Sequence, residues 1–287
     1  NSVNMGKKSI SLDLSKPEGL QLAKRIVAIS DVVSDNLRAG AMKRMGLGYE
    51  VLRKLKKDLV VISLSSRGQG GPQKDYGGYA TIHHAIGGGA YVTGYPDDAP
   101  SASLGDIDII NGAKGAFIVL SALYHKMQTG EGQFIDYSQC EGTSSLIGEQ
   151  LLAFAMTSNI PERMGNAHPQ FAPHSVYKCW GVDRWIAIEI HDDEEFKTFT
   201  KIIDMSELSS HPHFSTMIAR KQNESELNKI IESWTCQRDR DWMVSEFCKA
   251  GLAAAPSRDA DDLYADHHLK ERGAFVPIDQ PGWGELL

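Results

Sequence analysis

Two aspartates, Asp106 and Asp108, have the position expected of a catalytic carboxylate. They mark the start of the most apolar helical stretch of the chain, which the residue pattern predicts from Ile107 to about Met127. Free backbone N–H groups and the positive end of the helix dipole stabilise an ionised carboxylate there, which favours a nucleophile over a protonated acid. Residues two apart on a helix point in different directions, so we expect only one aspartate to act.

A glycine favours Asp108 for this role. Gly112 lies one turn after Asp108 on the same face of the predicted helix, and a glycine inside a helix costs about 1 kcal/mol relative to alanine. Room for a substrate beside the carboxylate would explain that cost. On spacing alone, the alternative is that Asp106 caps the helix and Asp108 only complements its dipole.

The elements that must position these residues alternate between helix and strand in the first half of the chain. The helical patterns cover residues 17–30, 39–57, about three turns after Gly78, 107–127 and 140–156, and the strand patterns cover 31–34, 59–64 and 134–137. Residues 65–78 are rich in Gly, Ser and Gln and predict a loop. Such alternation is typical of a parallel sheet covered by helices, which places the chain in the α/β class.

The second half has a different pattern. Its strand patterns at 175–180 and 184–190 predict an antiparallel hairpin, and its helical patterns cover 192–203, 224–234, 239–250 and 259–273, followed by a strand-like stretch at 274–277. We therefore predict a large α/β domain at 1–174, a small α+β domain at 175–256, and a segment at 257–287 that returns to the large domain. The polar start and the abrupt end favour an internal piece of a longer protein.

The composition excludes several classes of function. The chain has 287 residues, 41% of them hydrophobic and 23% charged, and a net charge of −7 with no basic stripe, which argues against a nucleic-acid partner. No apolar run predicts a membrane span, and residues 1–4 lack the apolar core that is typical of a secretory signal. The four cysteines lack CxxC spacing, which indicates reduced thiols and a cytoplasmic location. The histidine pairs at 211/213 and 267/268 lack the ligand spacing of a zinc helix, so we predict no metal site.

Five short phrases make the chain recognisable. Residues 4–14 read NMGKKSISLDL, 35–40 read DNLRAG, 45–50 read MGLGYE, 129–133 read TGEGQ and 163–169 read RMGNAHP. In this order they resemble the class III CoA-transferases, a family that includes formyl-CoA transferase, the carnitine and benzylsuccinate CoA-transferases and α-methylacyl-CoA racemase. Each phrase is short, but five in family order, from Asn4 to about Pro173, form a specific match.

The resemblance implies an activity, a nucleophile and an assembly. The substrates would be an acyl-CoA and a carboxylic acid, with coenzyme A entering as a substrate and no permanently bound cofactor. The resemblance places the family's catalytic aspartate on Asp108 and its following glycine on Gly112. In the family this aspartate attacks the thioester to give a mixed anhydride and free CoA thiolate. The large domain would be Rossmann-like, with the family's first βα unit missing from this chain. Relatives form interlocked dimers, so we expect a homodimer or a heteromer with a related subunit.

The family's CoA-binding stretch corresponds to two parts of this chain. The resemblance assigns CoA-binding positions to Leu12, Asp13, Asn36, Arg38, Ala41, Arg44, Met45 and Tyr79. Arg38 and Arg44 would face the phosphates of CoA, and Lys7 and Lys8 are further candidates. The alternative for either arginine is a solvated surface residue.

Tyr79 separates the branches of the family. In the racemases the matching position is a histidine that works with the aspartate as an acid/base pair, whereas a phenol is unsuited to proton abstraction near neutral pH. We interpret His83 and His84, a helical turn further on, as packing or surface residues. Transferase activity is therefore favoured over racemase or epimerase activity.

A third alternative is a non-catalytic subunit of a heteromeric CoA-transferase, against which the presence of Asp108 argues. The chain also departs from the family pattern. It has Ala80 where the family often has aspartate, and it lacks an evident glycine-rich lid. A formyl-type substrate is therefore disfavoured, and the acid acceptor stays open.

Overall fold

The chain forms two compact units. The computed structural model describes Asn4, residues 6–101 and residues 106–286. Met5 of the N-terminal phrase and residues 102–105, which precede the two aspartates, lie outside the described residues, as do residues 1–3 and Leu287. The units are Asn1–Gly165 and Asn166–Leu287. The predicted division into 1–174, 175–256 and 257–287 stays a prediction.

The first unit contains a parallel sheet, as the sequence predicts. Its strands are β1 (Val32–Asp35), β2 (Val60–Ser65) and β3 (Phe134–Ser138), with β2 between the other two. Both pairings are parallel, and Val60 lies opposite Val32 while Val61 lies opposite Phe134. Because β2 is the central strand, it is buried along nearly its whole length, which is typical of a strand covered on both faces. The predicted mixed α/β class is confirmed.

Helices cover both faces of this sheet. The helices of this unit are α1 (Pro17–Ala28), α2 (Ala41–Arg44), α3 (Tyr49–Leu55), α4 (Ala80–Ile86), α5 (Gly89–Val92), α6 (Asp106–Thr129), α7 (Gln139–Ser144) and α8 (Gly148–Thr157). On one face, Val61 packs in a buried cluster with Val27 of α1 and Leu52 of α3. On the other face α6 approaches so closely that a Cβ on its Gly115 would lie 2.6 Å from a methyl group of Leu64.

Two predicted helices of this unit are interrupted. The stretch predicted as helical over 39–57 is divided into α2 and α3, because Gly46 has a φ of +74° and Gly48 is extended. The stretch predicted over 140–156 begins as α7, continues as a 3₁₀ helix over Ser145–Ile147 and ends as α8. The spacing of apolar residues predicted that these stretches are helical, but it could not predict the breaks between the shorter helices.

The long helix α6 has the length and apolar composition of a membrane-spanning helix. Among the residues that the structure describes, it is the one helix long and apolar enough to cross a membrane by length and composition, although the sequence pattern predicted none. Its contacts with β2, α4 and α7 are those of a helix that covers a sheet. Near its end, Nζ of Lys126 lies 2.9 Å from carboxylate oxygens of both Asp31 and Asp58, which precede β1 and β2.

The second unit is built on an antiparallel sheet. Its strands β4 (His174–Lys178), β5 (Trp185–Glu189) and β6 (Ala253–Pro256) lie in that order, and β7 (Ile278–Gln280) pairs with β8 (Gly284–Leu286) in a separate hairpin. The helices are α9 (Asp193–Ile202), α10 (Met217–Gln222), α11 (Glu224–Thr235), α12 (Arg240–Lys249), α13 (Ala260–Ala265) and α14 (His267–Glu271), with a 3₁₀ helix at Ser206–Ser210. The predicted β4–β5 hairpin is confirmed.

Other predictions for this unit were wrong in detail. The third strand, β6, was missed because its four residues are three alanines and a proline, which carry no strand pattern. The helix predicted over 259–273 is two helices, because Asp266 leaves the helical conformation and caps α14. The strand predicted over 274–277 is absent, and strand pairing begins at Ile278 instead.

Candidate active site

The carboxyl ends of the three parallel strands bring polar residues to one edge of the sheet. Asp35 is the last residue of β1 and Ser65 is the last residue of β2. Ser66 follows β2 directly, and Gln139 follows β3. Open α/β sheets bind their ligands at this edge. The side chain of Gln139 donates a hydrogen bond to the carbonyl oxygen of Leu64, which ties the end of β3 to the end of β2.

Asp108 lies in the first turn of α6 and its side chain is half exposed. Its Oδ1 is 3.5 Å from Nδ1 of His83 on α4. The positive end of the helix dipole stabilises the ionised form of a carboxylate in this turn. A Cβ placed on Gly112, one turn later, would meet no atom within 4 Å, so the helix surface there is open as the sequence predicted.

His83 is a site residue that sequence reasoning missed. It is almost fully buried, and its Nε2 lies 3.1 Å from Oγ of Ser66. Burial lowers the pKa of His83, which the charge of Asp108 opposes and that of Arg67 reinforces. The interpretation of His83 as a packing residue was therefore incomplete. No periodicity could have found its contact with Asp108, because the contact joins two helices that are distant in sequence.

The backbone of the loop before α4 packs closely against the side chains of His83 and Ser66. A Cβ on Gly78 would lie 2.8 Å from Oγ of Ser66 and 3.2 Å from Nε2 of His83. A side chain at position 78 would therefore displace one of these two polar groups. The glycine allows the loop before α4 to pass beside them.

A cavity of about 550 Å³ lies beside the loop between β1 and α2. Three of the predicted CoA-binding residues, Arg38, Ala41 and Arg44, line it. Nη1 of Arg44 donates a hydrogen bond to the carbonyl oxygen of Ala39 at 3.3 Å. The lining also holds the basic residues Lys43 and Lys74 and the acidic residues Asp35, Glu50 and Asp75. The basic side chains exceed the acidic ones by one, so an anionic ligand would be held by Arg38 and Arg44 locally and not by the charge of the whole cavity.

The same cavity has an apolar and aromatic side. The rings of Tyr49 and Phe134 both line it and are stacked, with centroids 5.3 Å apart. Leu47 and Val61 extend this surface. A cavity that combines positive charge with stacked rings can hold a flat heterocycle that carries phosphate groups.

A second cavity, of about 430 Å³, lies beside the first. It is lined by the predicted residues Asn36 and Tyr79, and it shares Arg38 with the first cavity. Tyr79 is largely exposed, at 84%. Ser66 also lines this cavity while it contacts His83, so the cavity reaches the group that touches Asp108.

Three predicted residues are not among those that line these cavities: Leu12, Asp13 and Met45. Oδ1 of Asp13 accepts hydrogen bonds from the backbone N–H and the hydroxyl of Ser15, which lower the pKa of Asp13. That turn leads directly into α1. The structure therefore gives Asp13 a local role in forming the turn. Met45 directly follows α2 and its backbone N–H donates to the carbonyl oxygen of Ala41 at 3.1 Å, although Met45 does not line either cavity.

Gln69 is a second residue that the sequence analysis missed. Its Oε1 accepts a hydrogen bond from the N–H of Gly40 at 2.9 Å, and its Nε2 donates to Oγ of Ser63 at 2.8 Å. Its own backbone N–H donates to the carboxylate of Asp136. Gln69 thus ties the loop that carries Arg38 to the two neighbouring strands.

The chain is similar to known proteins along its whole length. A family model described as CoA-transferase family III matches residues 1–287. Two relatives are from Chloroflexus aurantiacus. The succinyl-CoA–L-malate CoA-transferase beta subunit is 33% identical over 289 residues, which cover 100% of this chain and 71% of the relative. The succinyl-CoA–D-citramalate CoA-transferase is 33% identical, with 98% of this chain and 70% of the relative covered.

A solved structure supports the fold. A CAIB/BAIF family protein from Brucella suis superimposes with a TM-score of 0.88 at 32% identity, covering 97% of this chain and 73% of that protein. The similarity therefore extends over both units of the chain.

Proposed function

The chain belongs to CoA-transferase family III and is an enzyme of this class, and we propose that it transfers CoA through covalent intermediates on Asp108. The observation that carries this proposal is the position of Asp108, in the first turn of α6 with a half-exposed carboxylate and open space beside Gly112. A carboxylate that is already ionised can attack without a separate base.

The proposed reaction balances without any proton transfer. An oxygen of Asp108 bonds to the thioester carbonyl carbon, the carbon–sulfur bond breaks, and CoA leaves as its thiolate. The thiolate then attacks the side-chain carbonyl carbon of Asp108 in the mixed anhydride, which releases the donor acid and leaves an aspartyl-CoA thioester. The acceptor carboxylate then attacks the aspartyl-CoA thioester, which forms a second mixed anhydride and releases the CoA thiolate. The thiolate attacks the acyl carbon of the acceptor, which gives the new acyl-CoA and restores the carboxylate of Asp108.

We propose that the two cavities hold CoA. The adenosine diphosphate part would lie against the aromatic and basic lining of the larger cavity, where Arg38, Ala41 and Arg44 contribute. The pantetheine arm would continue through the smaller cavity past Asn36 and Tyr79 toward Ser66. The assignment of Leu12, Asp13 and Met45 to CoA binding rests on the resemblance alone.

For the acids, we propose succinyl-CoA as donor and a small dicarboxylic acid as acceptor. The support is that the Chloroflexus relatives are named for succinyl-CoA with L-malate or D-citramalate. Racemase activity is the second candidate, and the contact between His83 and Asp108 argues against it. Two groups 3.5 Å apart cannot stand on opposite faces of an α-carbon, as a two-base racemase requires.

The assembly and the location are also proposals. We propose a homodimer or a heteromer with a related subunit. The outer face of α6 supports an interface, because Phe117, Leu120 and Tyr124 expose about two thirds of their surface at helical spacing. The cytoplasmic location predicted from the sequence stays a prediction.

Substitution of Asp108 tests the proposed function. We expect Asp108→Asn and Asp108→Ala to lower the rate of CoA transfer from succinyl-CoA by at least about a thousandfold, because the nucleophile is lost. CoA binding, measured by calorimetry, should persist because the cavities are unchanged. The matched control is Asp106→Asn in the same helical turn, which should retain transfer.

Normal turnover by the Asp108 variants would refute the covalent mechanism. Incubation of the unaltered enzyme with an α-deuterated acyl-CoA distinguishes the racemase candidate. Retention of deuterium during CoA transfer is expected, and rapid loss of deuterium without CoA transfer would favour racemisation.

A further inference from the structure

His83 faces two polar groups with its two ring nitrogens. Nδ1 lies 3.5 Å from Oδ1 of Asp108, and Nε2 lies 3.1 Å from Oγ of Ser66. The Nδ1 atom is fully enclosed and has no hydrogen bond of ordinary length. Leaving a buried polar nitrogen without a partner costs free energy.

We infer that the Nδ1–H of His83 holds Oδ1 of Asp108 during attack on the thioester and stabilises the negative charge that develops on that oxygen in the following step. The inference rests on the proposed function of Asp108, and it adds a second residue to the same site.

The neighbours of the imidazole decide which nitrogen carries the proton. A carboxylate only accepts hydrogen bonds, whereas a serine hydroxyl both donates and accepts. The arrangement with fewest conflicts therefore places the proton on Nδ1, toward Asp108, while Nε2 accepts from the hydroxyl of Ser66. Burial lowers the pKa of His83, so the ring is neutral near neutral pH and leaves the negative charge of the nucleophile in place.

The two steps use the same contact in different ways. In the first step, a donor on Oδ1 fixes the carboxylate and leaves Oδ2 to approach the thioester carbon, since reacting atoms must be held about 3–3.5 Å apart. Once Oδ2 is acylated, Oδ1 becomes the carbonyl oxygen of the anhydride. Attack of the CoA thiolate on the adjoining carbon moves negative charge onto Oδ1, directly in front of Nδ1–H. A donor placed in advance where charge develops is an effective form of catalysis.

The distance is consistent with this role. At 3.5 Å the contact is longer than an ordinary hydrogen bond. Contacts of this kind in enzyme sites often tighten when the reacting complex forms. The half-exposed side chain of Asp108 can turn toward the buried and fixed imidazole, so the shortening requires no movement of α4.

Two substitutions of His83 separate this role from simple packing. In His83→Asn the amide nitrogen can occupy the position of Nδ1 and keep a donor toward Asp108. In His83→Gln the longer side chain places its terminal group near Nε2, toward Ser66, and the donor is lost. Loss of one oxyanion donor typically lowers kcat by about 10²–10³. We expect His83→Gln to lose about a hundredfold in kcat with KM for succinyl-CoA within about threefold, and His83→Asn to retain kcat within about tenfold.

The control is His84→Asn, a substitution of the next histidine on α4, which should leave kcat unchanged. Equal kcat values for His83→Asn and His83→Gln, whether high or low, would overturn the inference. Asp108→Asn is measured in parallel. Full turnover by that variant would reject the proposed function itself, whereas an inactive Asp108→Asn beside equally active His83 variants would reject only the inference.

A measurement on the unaltered enzyme covers the case in which a His83 variant does not fold, as judged by loss of CoA binding. The ¹⁵N resonances of the imidazole, assigned by their loss in whichever of the two variants folds, report which nitrogen is protonated. A proton on Nδ1 supports the inference, and a proton on Nε2 overturns it.

Discussion

Replacement of Gly112 by alanine should raise stability and lower activity together. Gly112 is exposed within α6, and a Cβ there meets no protein atom within 4 Å. Alanine is favoured over glycine inside a helix by about 1 kcal/mol, and no clash offsets that gain. For a unit the size of Asn1–Gly165, such a gain raises the unfolding temperature by about 2–4 °C.

The activity should change in the opposite direction. If the acyl group lies beside Asp108 along the open surface of Gly112, an added methyl group enters the space of the substrate. Overpacking of this kind costs about 1–3 kcal/mol. That cost corresponds to a loss of roughly 5- to 150-fold in kcat/KM for the acyl-CoA. Differential scanning calorimetry and steady-state kinetics on the same preparation measure the two effects.

The matched control lies one turn further along the same helix. In Gly115→Ala the new methyl group would lie 2.6 Å from Leu64, so the side chain of Leu64 must move and no rise in unfolding temperature is expected. An unchanged kcat/KM in Gly112→Ala, together with the expected stabilisation, would show that no substrate passes this surface. The explanation for the glycine would then be wrong.

Two further predictions concern charged residues in the two units. Arg44→Ala should raise KM for the CoA thioester by roughly tenfold with little change in kcat, because phosphate contacts are made equally in the ground state and the transition state. The control is Arg25→Ala, on an exposed face of α1, which should leave KM unchanged. Asp262 accepts hydrogen bonds from Arg240 and Arg184, and its pKa is lowered to about 2, chiefly by Arg240. This contribution to stability is present above the ordinary pKa of an aspartate and is lost as pH falls toward 2, so the urea midpoint of Asp262→Asn should lie below that of the unaltered chain at pH 7 and converge with it in acid.

The parts of the fold that the sequence predicted are those set by local geometry. The phrase TGEGQ before β3 is an example. Gly130 has a φ of +75°, and a Cβ on Gly132 would lie 2.3 Å from the carbonyl oxygen of Leu59. The φ of Gly130 demands glycine through the local backbone conformation alone, so the end of α6 can be predicted from the sequence. Gly132 is required instead by the close approach of the backbone of Leu59, which is distant in sequence. The start of β3 beside β2 follows from it.

The parts that the sequence did not predict depend on contacts between distant residues. The imidazole of His83 meets Asp108 only because α4 and α6 converge at the same edge of the sheet. Similarly, Gln69 fixes the loop of Gly40 through a side chain that no periodic pattern singles out. The position of Asp108 at the start of α6 could be predicted, because an apolar helical stretch and the carboxylate that opens it lie within a single element. Its role as the nucleophile stays a proposal.

The ion pairs of Lys126 have a mechanical consequence for the opposite end of α6. They join the helix to the residues that precede β1 and β2, so they act at the amino ends of the strands, whereas Asp108 stands near the carboxyl ends. At about 1.5 Å of rise per residue, the two points are roughly 27 Å apart along one continuous helix. The helix is therefore fixed near its C-terminal end by these ion pairs and nearer its N-terminal end by its packing against β2, α4 and α7. If α6 shifted by one residue relative to Asp31 and Asp58, the carboxylate of Asp108 would move by about 1.5 Å along the helix axis and rotate by roughly 100° away from His83.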